Sequence, residues 1–443
     1  MSPDPNDEYF AEGMTEELIT ALSGVSELTV IARTSVMHYK NSPKRVVEVG
    51  KELGTGTIIE GSVRKAANRI RITVQIVDAT NEGHLWARNY DRQMDDIFAI
   101  QSEIAEKVAD ALELKLIGSA KRRLERRLTG NTEAYDLYLK GKYCWNKRTK
   151  TSIEKGISYL LKAIEKDPNF ALAYSDLADA YVMMADYAII PADQACAKIE
   201  EYATRALQMD PSLSQPHAAL AYTHQRNFQW KDNDRELEEA IALNPNNAAA
   251  HHFLGLSLFL RGMHERSIQE WRKAKELDPL SLIVGSDLGY ALVWTGHAQE
   301  GLELQQSVIE MEENFLVAHR GLAISYLITG RTQEAFEQAR KLLSLTSEPY
   351  YGTAVAAIYA MTGHKEEAWT IMSNLIQQGK SQFIDPAEMA SAYAALGEDQ
   401  KAMEWLETAV NQKSAVLAYV NIVPSFDKIR DNPRFKALVT KVV

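Results

Sequence analysis

Five glycines and three prolines at one repeated step constrain this chain of 443 residues more than any other feature. Gly262, Gly296, Gly330, Gly363 and Gly397 lie 34, 34, 33 and 34 residues apart, and Pro211, Pro245 and Pro279 keep the same step 17 residues out of phase. A period of that length marks a supersecondary unit that cannot bury its apolar face alone and must pack on its neighbours. A glycine able to take positive φ ends a first helix, and an Asp-Pro or Asn-Pro pair ends the second helix and opens the next unit. Asp167-Pro168, Asp210-Pro211, Asn244-Pro245 and Asp278-Pro279 are therefore unit borders.

Between borders the apolar spacing fits two packed helices. In the unit from His251 to Pro279, Leu254, Gly255 and Leu258 line one face of the first helix, and Ile268, Trp271 and Ala274 line the facing side of the second. Gly255 and Ala274 are small where the helices should cross most closely. Leu220, Ala221 and Ala240 repeat the pattern one unit earlier, and Leu322, Ala323 and Ala335 two units later. The period and pattern resemble the tetratricopeptide repeat. Eight hairpins follow: Glu133 to Asp167, Asn169 to Asp210, Ser212 to Asn244, Asn246 to Asp278, Leu280 to Glu312, Asn314 to Thr346, Glu348 to Gly379, and Ile384 to Gln412. The border prolines of the second lie 43 residues apart, nine more than the period, which places an insertion near Ala188 to Pro191.

Charge is unevenly spread along the chain. Residues 115–155 hold 12 basic against 4 acidic residues, and residues 156–443 hold 25 against 37, within a total net charge of −11. The basic run from Lys121 to Arg127 is read as a solvated linker helix in preference to a nucleic-acid site. Cys144 and Cys196 have no CxxC spacing, so neither a disulfide framework nor a zinc site is expected. No apolar stretch of about 18 residues and no leader pattern is present, and a cytoplasmic protein without a membrane span is expected.

Before Glu133 the repeat vanishes. Tyr9 to Leu22 reads as a helix, Leu28 to Ala32 as a short buried strand, and Pro43 to Leu53 as a second helix closed by Gly54. Three strands follow at Thr57 to Arg64, Ile70 to Val77 and His84 to Tyr90, joined by turn-like Ala67-Asn68 and Thr80 to Gly83, so an antiparallel meander is expected. Ile70, Ile72, Val74 and Ile76 alternate with Arg71, Thr73 and Gln75, which makes the sheet one-sided. A helix from about Ile97 to Leu116 should cover its apolar face through Ile100, Ile104, Val108, Ala111 and Leu112. The fold class is thus an α+β domain with a mixed or antiparallel sheet and covering helices, followed by an all-α superhelical repeat array. The expected domains are 1–118, a basic linker helix at 119–132, the array at 133–412 and a capping segment at 413–443.

Ser2-Pro-Asp-Pro-Asn-Asp-Glu-Tyr-Phe10, Gly13 to Ile19, Val30 to Ser35, Glu60-Gly-Ser-Val-Arg64, Leu85 to Asp91 and Asp96-Ile-Phe98 resemble the TolB-like amino-terminal domain. Ala134 to Tyr143, Ala250 to Phe253 and Phe426 to Phe435 are similar to the repeat arrays that accompany it. The resemblance implies a prokaryotic signalling protein, in which such a domain sits between an output module (cyclase, kinase or winged-helix regulator) and the array. Two departures stand out. The apolar strand that precedes the Ser-Pro-Asp-Pro motif in that family is missing here, which predicts an open sheet edge and either marginal stability of the first domain or pairing with another chain, a homodimer being one such pairing. No output module is present, so none of its activities carries over.

Enzymatic signatures were sought without success: no GxxxxGK[ST], HExxH, GxSxG or GxGxxG occurs. His217, His251 and His319 occupy equivalent places on three first helices, but adjacent repeats sit roughly 10 Å apart, too far for ligands that must converge within about 2 Å of one ion. Glu16-Glu17, Asp95-Asp96, Glu238-Glu239 and Glu312-Glu313 read as helix surfaces or starts, where carboxylates favour the dipole. No catalytic residue, metal or cofactor is expected.

In such an array the first helices line the inner face. The register projects Trp145, Arg148, Asp179, Tyr222, Arg226, His252, Leu256, Phe259, Ser286, Tyr290, Trp294, Arg320, Ile324 and Leu327 into it. Of these, Trp145, Arg148, Tyr222, Arg226, His252, Phe259, Tyr290, Trp294 and Arg320 are the candidate partner-binding residues. Leu256, Ile324 and Leu327 fit core packing equally well. No asparagine lines the face, which disfavours a clamp for a chaperone's terminal carboxylate. The expected function is a non-catalytic scaffold that binds another protein or peptide, with no nucleic acid. The alternative is a small-molecule sensor that takes its ligand in the first domain or at the Ala188 to Pro191 loop. Leu417 to Val423 and a short helix opened by Asn432-Pro433 should cap the last repeat.

Overall fold

The computed structural model describes residues 8–25, 27–66, 69–93, 96–112, 128–147, 149–186, 189–381, 383–412 and 414–442. Contacts divide the chain into two compact units, one of residues 1–223, 231–251 and 276–280, the other of residues 224–230, 252–275 and 281–443.

The first unit begins with helix α1 (Glu8–Ser23), a short helix α2 (Arg33–Met37) and α3 (Val46–Leu53). α3 opens where the Glu48 carboxylate accepts from Arg45 N at 2.9 Å, and it ends at Gly54 with φ 65°. Strands β1 (Thr57–Ala66), β2 (Arg69–Asp78) and β3 (His84–Gln93) form an antiparallel sheet in the order β1-β2-β3, as the alternation predicts. Thr57 faces Asp78 and Ala66 faces Arg69, while a register shift lies between Ile76 and Val77. The Ala67-Asn68 turn lies outside the described residues. In the second turn, Asp78 Oδ1 accepts from Thr80 N and Asn81 Oδ1 accepts from Gly83 N, both at 2.7 Å.

The two sheet faces differ as expected. Ile70, Ile72, Val74 and Ile76 are buried against Ile97, Ile100, Ile104 and Val108 of helix α4 (Ile97–Ala111). The opposite face is a polar ladder: Arg69 and Arg71 both donate to Asp91 at 2.7 Å, Thr73 to Asn89 at 2.7 Å and Gln75 to Glu60 at 2.6 Å. Helix α4 stops at Ala111, short of the expected Leu116; residues 113–116 and most of the basic linker fall outside the described residues.

Leu28 to Ala32 is not a strand of this sheet. Its extended backbone pairs with repeat borders instead: Val30 N donates to Asn246 Oδ1 at 3.1 Å, Ala32 N to Leu277 O at 2.7 Å, and Asn246 Nδ2 returns a bond to Ser23 O at 2.9 Å. Ser35, fully buried, donates to Asp278 Oδ1 at 2.5 Å and accepts from Leu280 N at 2.8 Å. The segment is apolar and extended because it lies on protein, and its main-chain partners are loops rather than strands.

Among the described residues sixteen helices in eight consecutive pairs follow: α5 (Thr132–Trp145), α6 (Lys150–Lys166), α7 (Ala171–Asp186), α8 (Ala192–Met209), α9 (Gln215–Arg226), α10 (Trp230–Leu243), α11 (Ala248–Leu260), α12 (His264–Leu277), α13 (Leu282–Trp294), α14 (Ala298–Met311), α15 (Leu316–Ile328), α16 (Thr332–Leu345), α17 (Pro349–Met361), α18 (Lys365–Gln378), α19 (Pro386–Leu396) and α20 (Asp399–Asn411). All five ladder glycines adopt positive φ, from 74° at Gly330 to 94° at Gly363, which explains the ladder. Close crossings fall where small residues recur. A Cβ on Gly255 would lie 2.9 Å from Trp271, and one on Gly301 only 2.4 Å from the Gly289 carbonyl oxygen.

In the second unit the chain closes with a 3-10 turn (Ala415–Tyr419), another at Pro424–Phe426, and helix α21 (Pro433–Val439), opened as expected by Asn432-Pro433. Phe426, Ile429 and Phe435 enter the same cluster as Met403 and Leu406 of α20, which makes this segment the cap of the last hairpin.

Candidate functional site

The equivalent histidines are the simplest case. His251 Nε2 meets the Pro245 carbonyl at 3.1 Å and His319 Nε2 meets the Glu313 carbonyl at 2.7 Å, each six residues back, so both tie a first helix to its own border. His217 Nδ1 pairs with Glu236 at 2.7 Å across its hairpin. The equivalence visible in the sequence is that of a structural fastener. Among the described residues no group of three or more His, Cys, Asp or Glu side chains is placed to hold a metal.

In the first unit, Trp145 and Tyr222 are largely buried, and Arg148 lies outside the described residues. Trp145 belongs to a charged centre that the sequence did not announce. Lys142 Nζ on α5 lies 3.2 Å from Glu16 and 3.7 Å from both Glu17 and Asp176, and Tyr138 donates to Glu17 at 2.8 Å. Burial pushes the Asp176 carboxyl up to about 7; Lys142 pulls against that shift, and Glu16 and Glu17 add to it. Burial also raises Glu17. Desolvation works against the Lys142 ammonium, but Asp176, Glu16, Tyr138 and Glu17 outweigh it and hold its proton firmly. The only hint in the sequence was isolated charge on otherwise apolar helix stripes.

The second unit holds the remaining candidates, Arg226, His252, Phe259, Tyr290, Trp294 and Arg320. Arg226 is half-buried in the last turn of α9. His252 Nε2 meets Asp287 Oδ2 at 2.8 Å, linking α11 to α13. Phe259, Tyr290 and Trp294 come together, with ring centroids 6.0 Å apart for Phe259 and Tyr290 and 6.4 Å for Tyr290 and Trp294. Leu256 packs beside them, whereas Ile324 and Leu327 join the cluster of the later hairpins.

This aromatic patch is covered rather than open. Ala418 and Ile422 of the closing segment are buried in one cluster with Phe259, Leu288, Ala291 and Leu292, and the Tyr290 hydroxyl donates to the Ile422 carbonyl at 2.8 Å. Trp230 Nε1 donates to the Val442 carbonyl at 2.8 Å. Farther along, Ser391 and Ser425 hydroxyls meet at 2.8 Å and Ser414 donates to Asp385 at 2.7 Å. All eleven residues of α19 are buried as a result, an all-round burial that an amphipathic helix with one free face would not show. The sequence assigns the closing segment to a cap and leaves open whether inner-face residues stay free or pack against neighbouring repeats or that segment; for this patch the structure shows the segment. An apolar, β-branched run can lie on a terminal repeat or reach back along earlier ones, and nothing in its composition separates the two.

Arg320 takes a different role from a free groove cation. It donates to Glu388 Oε1 at 3.0 Å and to the Tyr350 hydroxyl, with its guanidinium carbon 4.6 Å from the Tyr350 ring centre, while Thr353 donates to Glu388 Oε2 at 3.3 Å. Burial raises the Glu388 carboxyl and Arg320 pulls it back. Arg320 on α15, Tyr350 and Thr353 on α17 and Glu388 on α19 thus form one polar row on three first helices, in which Arg320 Nε is left without a hydrogen-bond partner among the described residues. No helix among the described residues is long and apolar enough to cross a membrane.

Residues 159–190 match the family model described as tetratricopeptide repeat. A stretch of 177 residues is 44% identical to a Rhizobium meliloti (strain 1021) protein named "Putative adenylate cyclase 3", covering 40% of this chain and 30% of that protein. Another similarity, 26% identity over 133 residues, is to "Transcriptional regulator HilA" of Salmonella typhimurium, covering 30% of this chain and 24% of the regulator. The matched part is less than a third of the length of either curated relative. Among solved structures, a tetratricopeptide repeat protein from Parabacteroides merdae ATCC 43184 aligns with 62% of this chain and 100% of its own, at 14% identity and a TM-score of 0.42. The 34-residue step, the eight hairpins with their positive-φ glycines and the matching family model make the body of this chain a tetratricopeptide repeat array.

Proposed function

We propose that this chain is a non-catalytic regulatory scaffold that docks another protein, through a peptide segment, on the first-helix face of its repeats. The observation that carries this reading is the aromatic patch of Phe259, Tyr290 and Trp294, which takes up a stretch of polypeptide through apolar burial and a main-chain hydrogen bond. Peptide recognition on a preformed helical face uses those two interactions. The curated relatives support it from another side. Stretches similar to this chain occur in proteins named for a cyclase and for a transcriptional regulator, which fits a shared regulatory part better than shared chemistry. The TolB-like resemblance of the first 118 residues points the same way.

A small-molecule sensor is the competing reading. The first unit carries a cleft of about 130 Å³ lined in part by Glu17, Gln101, Ser214 and Asn244 and another of about 480 Å³ lined in part by Tyr174, Glu201 and Arg205, the second within the roughly 300–1,000 Å³ of small-molecule sites. The test is capture from a lysate of the source organism with the intact chain and with a Tyr290→Ala, Trp294→Ala variant of unchanged helicity. One protein retained by the first and lost by the second is the expected result. Identical captures by both would overturn the reading.

A further inference from the structure

We propose that residues 414–424 are a built-in occupant of the docking face, and that the partner is an apolar peptide of the same chemistry that must displace them. The proposal rests on the docking reading above and adds the class of ligand and the reason the face is closed.

The resident segment shows what the face selects. Two aliphatic side chains four residues apart, Ala418 and Ile422, are buried among Phe259, Leu288 and Leu292, and the Tyr290 hydroxyl bonds to a main-chain carbonyl, that of Ile422. A carbonyl is present in any peptide, so the hydroxyl of Tyr290 fixes the path of the backbone while the apolar pockets choose small and branched side chains. A charged residue at the place of Ile422 would be excluded, because an unpaired charge in that cluster costs too much desolvation.

The same segment is held from within the tail as well as by the face. Arg430 holds it from within the tail, donating to the carbonyls of Val420 at 3.0 Å and Val423 at 2.9 Å while its Nε meets Asp427 at 2.7 Å. Beyond it, Phe426, Ile429 and Phe435 anchor the tail in the cluster of the last hairpins. Leu417 and Val420 of the segment are buried in that cluster too, so a displacing peptide has to break the contacts of Ala418 and Ile422 with the face while these stay anchored. A tethered occupant competes at an effective concentration in the millimolar range, so a free ligand binds the unaltered chain more weakly than a chain whose segment has been lifted.

The experiment uses the full chain and a fluorescein-labelled peptide of residues 414–424, read by fluorescence anisotropy. Ile422→Asp in the chain should lift its own segment and raise affinity for the peptide at least about tenfold over the unaltered chain. Adding Leu288→Asp should abolish that gain, and a peptide carrying Ile422→Asp should not bind. No gain in an Ile422→Asp chain of native helicity overturns the proposal and leaves the segment a structural cap. Should Ile422→Asp fail to fold, the chain is folded first and then cut at a protease site placed between Gln412 and Ser414. Uptake of labelled 414–442 peptide in exchange for the severed tail supports the proposal, and a tail that never exchanges refutes it. A dimer formed by swapped tails, resistant to the peptide, would make the occupant a second copy and also refute it. Since neither arm uses a cellular partner, peptide binding without any captured protein would leave this proposal standing and sink the docking reading, and the reverse pattern would do the opposite.

Discussion

Glu388, with a side chain 3% exposed, holds the guanidinium of Arg320 at 3.0 Å from two hairpins away. Removing one partner of such a pair leaves a buried charge uncompensated, which costs about 3–5 kcal/mol, whereas replacing both by apolar groups is often close to neutral. Glu388→Gln is therefore expected to destabilise the second unit more than the double change Arg320→Met, Glu388→Leu. Urea unfolding of the single and double variants checks it, and equal losses would show that packing, not charge, dominates at this site.

The charged centre around Lys142 makes stability depend on pH in a stated direction. Asp176 is raised to about 7 in the folded chain, chiefly by burial, and Glu17 is raised by burial as well. A carboxyl whose folded value is raised contributes stability that is fully present below its unfolded value and lost as pH climbs through the folded one. The thermal midpoint should thus fall between about pH 4 and about pH 7 on account of these groups. Asp176→Asn cannot ionise and should show a shallower fall, measured by scanning calorimetry of both proteins across that range.

Two glycines of one hairpin should fail for different reasons. A Cβ on Gly301 would sit 2.4 Å from the Gly289 carbonyl oxygen, so Gly301→Ala forces α13 and α14 apart and should cost about 1–3 kcal/mol. Gly296 has open space around it but φ of 92°, so Gly296→Ala should cost about 1 kcal/mol through backbone strain alone. Denaturant midpoints rank the two, and a costlier Gly296→Ala would reverse the assignment.

Ser35→Ala removes a buried hydroxyl that donates to Asp278 and accepts from Leu280. A loss of about 1–3 kcal/mol is expected, since both partners lose their bond in a buried place. Amide exchange at Val30 and Ala32 should be faster in the variant than in the unaltered chain, while the helices of the later hairpins keep their protection.

What the sequence made legible follows from how local each cause is. The glycine ladder and the alternation of Ile70 to Ile76 with polar residues each answer to one turn or one strand, and both appear in the structure as read. Leu28 to Ala32 misled because an apolar, extended run states that it is covered but not by what; its partners, Asn246 and Leu277, lie over two hundred residues away. Tyr290 was recognised as an inward aromatic, yet its partner is a main-chain carbonyl, which leaves no mark in the sequence. The Lys142 centre was overlooked because its members come from α1, α5 and α7 and meet only after packing.

The bond from Ser35 to Asp278 spans 243 residues, and a ribosome adds roughly 5–20 residues each second. The strap formed by Leu28 to Ser35 must therefore wait on the order of 10–50 s for its anchor to emerge. Nascent chains that end before the fourth hairpin carry this apolar segment bare, so it finishes folding only after residues made more than two hundred positions later.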